Sequence, residues 1–456
     1  MQTQIFTVHK RHLGLRAPTV LAVGFALTIL VGALVLMLPV SAADGQITPF
    51  LDALFTAASA SCVTGLVTVS TAVHWSVFGK CVILLLIQIG GLGFMSVAAI
   101  ASFVLRRTIT LHERMVMSAG LNLSDGGGIV RLTRRVLFGT FIIEGTGAVL
   151  LSCRFVPHYG FPKGITMGVF HAVSAFCNAG FDLMGTPDDP FQSLIGWAED
   201  PLVNITLMAL IVLGGLGFFV WSDVWDKHSF CRLRLHTKIV LTATAGLLLF
   251  GFGWTLLFEW SNPATLGAFD TPHKLLAAAF ESVTLRTAGF NTIDLGALTG
   301  PSQAVSCLLM FIGGSPGSTA GGIKTVTAAV LVLTAISAFC GRTTVSAFGR
   351  TIAPRSIMNA VTLLMAGGVL CLVGACAIAG IEDAPFHQCL FEAVSAFGTV
   401  GVSMGLTPTL EAASRVILIV MMYMGRVGVL TLGVAVFMRR REPPRLKYPD
   451  ADVFIG

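Results

Sequence analysis

Long apolar segments alternate with short polar ones along almost the whole chain. Each of eight segments is apolar for roughly the ~20 residues that a helix needs to cross a bilayer. They cover residues 18–40, 81–105, 136–153, 202–221, 239–258, 301–338, 357–381 and 413–438. The first is longer than a signal-peptide core, and we interpret it as a retained span. The pattern predicts an all-α polytopic membrane protein with eight transmembrane helices.

Four shorter segments between the spans resemble one another. Their sequences are FTAASASCVTGL, FHAVSAFCNAGF, FESVTLRTAGF and FEAVSAFGTVGV, and each ends in a small-residue turn with a glycine: Gly65, Gly180, Gly289 and Gly401. The intervals between these glycines are 115, 109 and 112 residues, so a span–short helix–span unit is predicted four times. The predicted divisions are a cytoplasmic N-terminus at 1–17, repeats at 18–105, 131–225, 236–338 and 355–438, and a cytoplasmic tail at 439–456.

Each short segment is too short to cross a bilayer. A proline precedes each glycine by 16 to 18 residues, which leaves about 11–13 residues of helix, or roughly half the ~30 Å hydrocarbon layer. Thr48 and Thr271 stand before two of these prolines and are predicted to cap the helices. The segments are therefore predicted to be re-entrant half-helices.

Backbone carbonyls at mid-membrane depth are tolerated only where they are buried in protein or line a water-filled path. Four half-helices that end at that depth can surround one axis. Their carbonyls can replace the water shell of a dehydrated cation, and the negative helix ends favour a cation below. The sequence therefore predicts a pseudo-fourfold cation pore.

Charge agrees with a membrane orientation. Charged residues make up only 11% of the chain, against about 25% in soluble proteins, while 54% are hydrophobic. Of 29 Lys and Arg, 21 lie in the segments 1–17, 106–135, 222–238, 340–355 and 439–456, which places these segments and both termini in the cytoplasm. Because the basic residues flank spans, the chemistry favours a lipid boundary and not a nucleic-acid partner.

The repeated plan resembles the Trk/Ktr/HKT superfamily of potassium transporters, and within it the membrane subunit of the bacterial Ktr system. The most specific stretches are Phe280–Thr292, Gly313–Thr325 and Met424–Thr431. The resemblance implies four units around a pseudo-fourfold axis and a potassium selectivity filter. It places the filter on Val63, Thr64, Gly65, Asn178, Ala179, Gly180, Thr287, Ala288, Gly289, Thr399, Val400 and Gly401. A glycine rather than a serine at Gly65 implies a preference for potassium over sodium.

A glycine-rich stretch interrupts the second span of the third repeat. Five glycines and a proline in ten residues cannot remain a regular helix, so this stretch must line a cavity. The resemblance implies that it is an intramembrane gate loop below the filter. The predicted gate comprises Gly313, Gly314, Ser315, Pro316, Gly317, Ser318, Thr319, Ala320, Gly321, Gly322, Lys324 and Arg426.

Intramembrane cations mark a pathway or a buried partner. The resemblance implies that Arg426 projects toward the pore, as an electrostatic barrier or as a contact for the loop. The alternative is an ion pair with the buried carboxylate of Glu144. Arg286 is expected to brace the filter from behind, with Glu281 or Glu392 as its partner.

The resemblance also implies partners. It predicts a homodimer and a cytoplasmic ring of KtrA-type regulatory subunits, which would bind the nucleotide (ATP/ADP or NAD). The chain itself is predicted to bind no cofactor, with K⁺ as the transported ion and Na⁺ as an activator.

Other functions fit less well. A Trk-type subunit would carry two further spans before the first repeat, and an alternating-access symporter usually has two inverted repeats. The run from Gly317 to Thr325 misses the nucleotide-binding pattern by one residue. With no paired carboxylates or nucleophile motif in the spans, we predict a transporter and not an enzyme.

Overall fold

The computed structural model describes residues 17–93, 129–429 and 431–433, which are predominantly helical. The predicted segment 1–17 (except residue 17), most of the basic segment 106–135 and the tail 439–456 lie outside these residues. The α-helices are α1 (Ala17–Leu36), α2 (Phe50–Cys62), α3 (Val77–Leu92), α4 (Ile129–Tyr159), α5 (Phe161–Phe176), α6 (Pro201–Leu216), α7 (Phe218–Lys227), α8 (Leu235–Glu259), α9 (Thr271–Thr284), α10 (Gly300–Phe311), α11 (Thr325–Phe339), α12 (Pro354–Ile381), α13 (Phe386–Gly398) and α14 (Ala412–Val427).

Among the residues that the structure describes, four helices are long and apolar enough to cross a bilayer without interruption: α1, α4, α8 and α12. Each matches the first span of a predicted repeat. Their outward side chains are large and apolar, and Leu27, Phe141 and Leu249 are 58%, 60% and 70% exposed. Such a surface is stable against lipid tails and not against water. The protein is therefore a multi-pass helical membrane protein.

The second spans are less regular than the sequence predicts. The span predicted over 202–221 is bent, because α6 and α7 meet at Gly217 at an angle of 92°. The backbone of Gly217 has a φ of 94°, and Gly93 and Gly428, which end α3 and α14, have φ values of 81° and 91°. Only glycine adopts such angles readily, so the helices end at these positions. The predicted interruption of span 301–338 separates α10 from α11.

The four short helices α2, α5, α9 and α13 end alike. Two residues before each glycine, the chain turns through a left-handed conformation, at Val63, Asn178, Thr287 and Thr399, with φ between 52° and 70°. That turn stops the helix and sends the chain back in extended form. The predicted caps are wrong, because neither helix start has a side-chain cap. The Thr48 hydroxyl is hydrogen-bonded to His74 at 3.0 Å instead.

The core lies at the ends of these short helices. All residues of 53–66 in the first segment are buried except Leu54, and all residues of 391–402 in the fourth segment are buried. Beyond the core, a two-stranded hairpin, β1 (Ser346–Ala347) and β2 (Arg350–Thr351), joins α11 to α12. The long apolar helices thus surround a centre built from the four short ones.

Candidate functional site

The four predicted filter glycines are neighbours in space, although more than 100 residues separate each from the next. A Cβ added to Gly65 would lie 3.1 Å from the Cα of Gly180, and one on Gly180 would lie 2.7 Å from the Cα of Gly289. A Cβ on Gly289 would lie 3.5 Å from the Cα of Gly401, and one on Gly401 would lie 2.9 Å from the Cα of Gly65. The four glycines therefore form a closed ring.

The carbonyl before each glycine faces the next segment of the ring. A Cβ added to Gly65 would lie 2.6 Å from the Ala179 oxygen, and one added to Gly180 would lie 2.8 Å from the Ala288 oxygen. A Cβ added to Gly289 would lie 2.7 Å from the Val400 oxygen, and one added to Gly401 would lie 2.0 Å from the Thr64 oxygen. Side chains would fill this space, so glycine leaves the carbonyls free. All twelve predicted filter residues are buried.

A cavity of about 190 Å³ opens on one side of the ring. All four glycines line it, together with Asp182 and Asp294, among other residues. Carboxylates at this position raise the local concentration of cations. The ring therefore has an acidic approach on this side.

A larger cavity of about 570 Å³ is lined by residues of the glycine-rich loop, with Lys324 and Arg426. The loop lies against the ends of the short helices. Thr319 donates from Oγ1 to the Phe176 carbonyl at 3.2 Å and to Oδ1 of Asn178 at 3.1 Å. A Cβ added to Gly321 would lie 2.1 Å from Oγ1 of Thr399. The loop is therefore packed directly against the ring segments.

Asn178 connects the loop to a second ring segment. Its side-chain nitrogen donates to Oγ1 of Thr287 at 3.3 Å, while its oxygen accepts from Thr319. Asn also adopts the left-handed conformation more readily than most residues do. One side chain thus links the second segment, the third segment and the loop.

Three basic residues hold the loop through its carbonyls. Lys324 donates to the carbonyl of Ala320 at 2.7 Å, and Arg286 donates to that of Gly313 at 3.2 Å. Arg426 donates to the carbonyl of Thr319. The ammonium of Lys324 is therefore engaged by its own loop, which leaves the resemblance to a nucleotide-binding pattern without support.

The alternative ion pair between Arg426 and Glu144 does not form. Besides Thr319, Arg426 contacts the carbonyls of Gly90 and Gly91, the latter at 3.3 Å. Glu144 accepts instead from Gln88 at 3.1 Å and from the thiol of Cys177. Arg426 therefore contacts the loop and not Glu144.

Arg286 contacts the loop rather than Glu281 or Glu392. Its second hydrogen bond goes to Oγ1 of Thr325 at 2.8 Å, where α11 begins. Glu392 accepts from Ser403 and from the backbone of Met404. The guanidinium of Arg286 therefore braces the loop. It does not brace the filter through a bond to a glutamate.

A second set of glycines, which the predictions from sequence do not include, packs under the ring. The second spans carry GGLG at 90–93 and 214–217 and GRVG at 425–428. A Cβ on Gly90, Gly214 or Gly425 would lie 2.2, 1.9 or 1.9 Å from a carbonyl oxygen at the end of a short helix. These glycines allow close packing, and the repeated motif was a signal that could have revealed them.

Comparisons with known proteins show to which family the chain belongs. The family model described as TrkH, a cation transport protein, matches residues 6–442. The Ktr system potassium uptake protein B of Bacillus subtilis is 42% identical over 439 residues, covering 96% of each chain. The potassium/sodium uptake protein NtpJ of Enterococcus hirae is 40% identical, also covering 96% of each.

A solved structure shares the fold. The crystal structure of the potassium transporter TrkH from Vibrio parahaemolyticus matches with a TM-score of 0.72, at 17% sequence identity. The match covers 94% of this chain and 86% of that chain. The chain therefore belongs to the TrkH family of cation transport proteins.

Proposed function

We propose that this protein takes up potassium across the cell membrane through a pore whose selectivity filter is the ring around Gly65, Gly180, Gly289 and Gly401. The observation that carries the proposal is the cyclic contact of these glycines with the carbonyls of neighbouring segments. Carbonyl oxygens at such a ring replace the hydration shell of a cation. Relatives with 42% and 40% identity are named as potassium and potassium/sodium uptake proteins.

The proposed architecture has four span–short helix–span repeats, at 18–105, 131–225, 236–338 and 355–438. Its support is the common geometry of the four short helices, each of which ends in a left-handed turn two residues before its glycine. In this arrangement the negative ends of the four helices converge near the ring, and that convergence favours a cation in the cavity below.

The glycine-rich loop is proposed as the gate of this pore. It lies against the ring segments and lines the larger cavity with Arg426 and Lys324. An ion that leaves the ring toward this cavity meets the loop and two positive charges. The hydrogen bonds from Arg286, Lys324 and Arg426 favour the closed position.

Replacing Arg426 by Gln is expected to raise potassium flux several-fold. Glutamine removes the charge and the charged hydrogen bond to the Thr319 carbonyl of the loop, and a charged hydrogen bond contributes about 1.5–3 kcal/mol. Flux per molecule in proteoliposomes measures the effect. Arg135→Gln is the matched control, because Arg135 forms a half-exposed ion pair with Asp226, and such pairs contribute little. A flux of Arg426→Gln equal to that of the wild type would show that Arg426 is not part of the gate.

We further propose that the protein lies in the inner membrane with both termini in the cytoplasm, as the distribution of basic residues favours. On the resemblance to the Ktr system, we also propose that the protein forms a homodimer and binds a ring of KtrA-type subunits that carry the nucleotide. Sodium stimulates the flux in this proposal. The chain acts as a transporter, with no catalytic step of its own.

A flux measurement distinguishes this pore from an alternating-access symporter. Purified protein in liposomes is given only a potassium gradient, with no second ion gradient, and protein-free liposomes serve as the control. A pore predicts tracer flux down this gradient at rates above carrier turnover. Flux that requires a co-transported or counter-transported ion would support the symporter.

Rescue of growth gives the test in cells. Expression of this protein together with its regulatory partner should restore growth of an uptake-deficient bacterium at low potassium, and an empty vector should not. A well-expressed protein that restores no growth and gives no flux in liposomes would contradict the proposed function.

A further inference from the structure

A buried hydroxyl lies behind every segment of the ring, near the end of each short helix. None of the four belongs to the predicted filter or gate. Each of these residues is at most 1% exposed, and together they are Ser59, Ser174, Thr284 and Ser395.

Three of these hydroxyls bind the same backbone atom in their respective segments. Each donates to the carbonyl of the residue that follows the ring glycine. The donor–acceptor distances are 2.7 Å from Ser174 to Phe181, 2.6 Å from Thr284 to Phe290 and 2.6 Å from Ser395 to Val402. These carbonyls therefore face the short helix and not the axis of the ring.

Two of the four hydroxyls accept from the ring glycine itself: that of Ser59, which is not among the three donors, and that of Ser395. The N–H of Gly65 donates to Oγ of Ser59 at 3.1 Å, and that of Gly401 donates to Oγ of Ser395 at 3.2 Å. In a planar trans peptide the C=O points opposite to the N–H. A glycine N–H held toward the helix therefore turns the preceding carbonyl, Thr64 or Val400, toward the ring.

These bonds fix the direction of successive peptides. In the fourth segment, where Ser395 makes both bonds, the bond from the Gly401 N–H orients the Val400 carbonyl inward, and the bond to Val402 turns the Val402 carbonyl outward. Each of the other three hydroxyls makes one of these two bonds. The row of inward oxygens therefore ends at the glycine. We propose that one buried hydroxyl behind each segment is a positioning residue, which orients the ring peptides and thereby sets the selection among monovalent cations: Ser59, Ser174, Thr284 and Ser395. The inference rests on the proposed potassium function of the ring.

Each of the four hydroxyls lies four residues after the phenylalanine that begins its segment. The serines precede their glycines by six residues, whereas Thr284 precedes Gly289 by five. The third segment is one residue shorter between its Phe and its Gly. Thr284 nevertheless reaches the carbonyl after the glycine, as Ser174 and Ser395 do. The missing residue lies between Thr284 and Gly289, and the hydroxyl makes the same contact across the shorter turn.

Replacing Ser395 by Ala is expected to lower the ratio of potassium to sodium flux roughly tenfold, the scale of one or two buried hydrogen bonds. Flux in proteoliposomes under each ion gradient gives the ratio, together with the half-saturating potassium concentration and the maximal rate. Loss of positioning predicts a changed ion ratio and half-saturation, whereas loss of folded protein alone scales all rates together. Ser395→Thr keeps the hydroxyl and is expected to restore the ratio, as Thr284 serves in the third segment.

Ser61→Ala is the matched control. Ser61 is as buried as Ser59 and lies on the same helix, but its hydroxyl has no hydrogen-bond partner among the residues that the structure describes. Its removal should leave the ratio unchanged. Thr284→Val is the second variant, because valine keeps the shape and removes only the hydroxyl, and it should lower the ratio as Ser395→Ala does.

The outcomes separate the inference from the function on which it rests. Wild-type protein without potassium flux would contradict the proposed function. A selective wild type with an unchanged ratio in both Ser395→Ala and Thr284→Val would overturn the positioning role alone. An equal loss of the ratio in Ser61→Ala would also overturn it, because any buried hydroxyl would then suffice.

Discussion

Gly401→Ala is expected to abolish potassium uptake, with a loss of roughly 100-fold or more, the scale that a misplacement of about 1 Å produces at a preorganised site. The added Cβ would lie 2.0 Å from the carbonyl oxygen of Thr64 and 2.9 Å from the Cα of Gly65. Both are backbone atoms of the neighbouring ring segment, so no side chain can rotate away. One of the two segments must move, and the movement displaces a carbonyl that would hold the ion.

Backbone strain is a competing explanation, because Gly401 has a φ of 93°. A non-glycine residue in such a conformation is destabilised by about 1–3 kcal/mol. Gly405→Ala is the matched control, since Gly405 has a φ of 90° and a Cβ there would meet nothing within 4 Å. It carries the same strain without the clash and should retain uptake. The ring would lose its assigned role if Gly401→Ala, measured by low-potassium growth and by flux, behaved like Gly405→Ala.

Deleting Gly313–Gly322 is expected to raise potassium flux at least about tenfold. To open, the intact loop must break several hydrogen bonds, each contributing about 1 kcal/mol net, and every 1.4 kcal/mol is a factor of ten. The deletion is compatible with the fold, because Ile312 and Ile323 already lie side by side as a parallel bridge. The N–H of Gly313 donates to the Ile323 carbonyl at 2.8 Å, so the two ends of the deleted stretch meet.

Selectivity is the internal control for this deletion. The four ring glycines are untouched, and Asn178 keeps its hydrogen bond to Thr287, so the ratio of potassium to sodium flux should stay near the wild-type value. Flux per molecule in proteoliposomes, with a measurement of folded protein, gives both quantities. A folded, selective variant with unchanged or lower flux would contradict the gate, and an unselective leak would mean that the loop supports the filter instead.

Much of the ring could be predicted from the chain itself. The interval of 109 to 115 residues between the glycines, together with helices too short to cross a bilayer, required four backbone reversals at membrane depth. Such reversals have few physical solutions, and for this reason the sequence alone is enough to identify the four glycines. The glycine-rich loop followed in the same way, since its composition cannot remain helical.

The partners of the buried charges could not be predicted in this way. Sequence favoured carboxylates for Arg286, and it left Glu144 open for Arg426. Both arginines donate instead to backbone carbonyls of the loop. A broken helix exposes unpaired carbonyls, and these accept from a guanidinium as a carboxylate does. Which acceptors lie within reach depends on how the helices pack.

The sequence by itself determined that this chain lies in a membrane and where the backbone must leave the helix, and it predicted a unit that is repeated four times. These are local consequences of apolar length and of glycine placement, and each follows from a few adjacent residues. Only the tertiary structure decided which segments meet around the ring, that span 202–221 bends at Gly217 and that Thr284 reaches the carbonyl of Phe290. Those features depend on contacts between residues far apart in the chain, and distance along a sequence carries no information about direction in space.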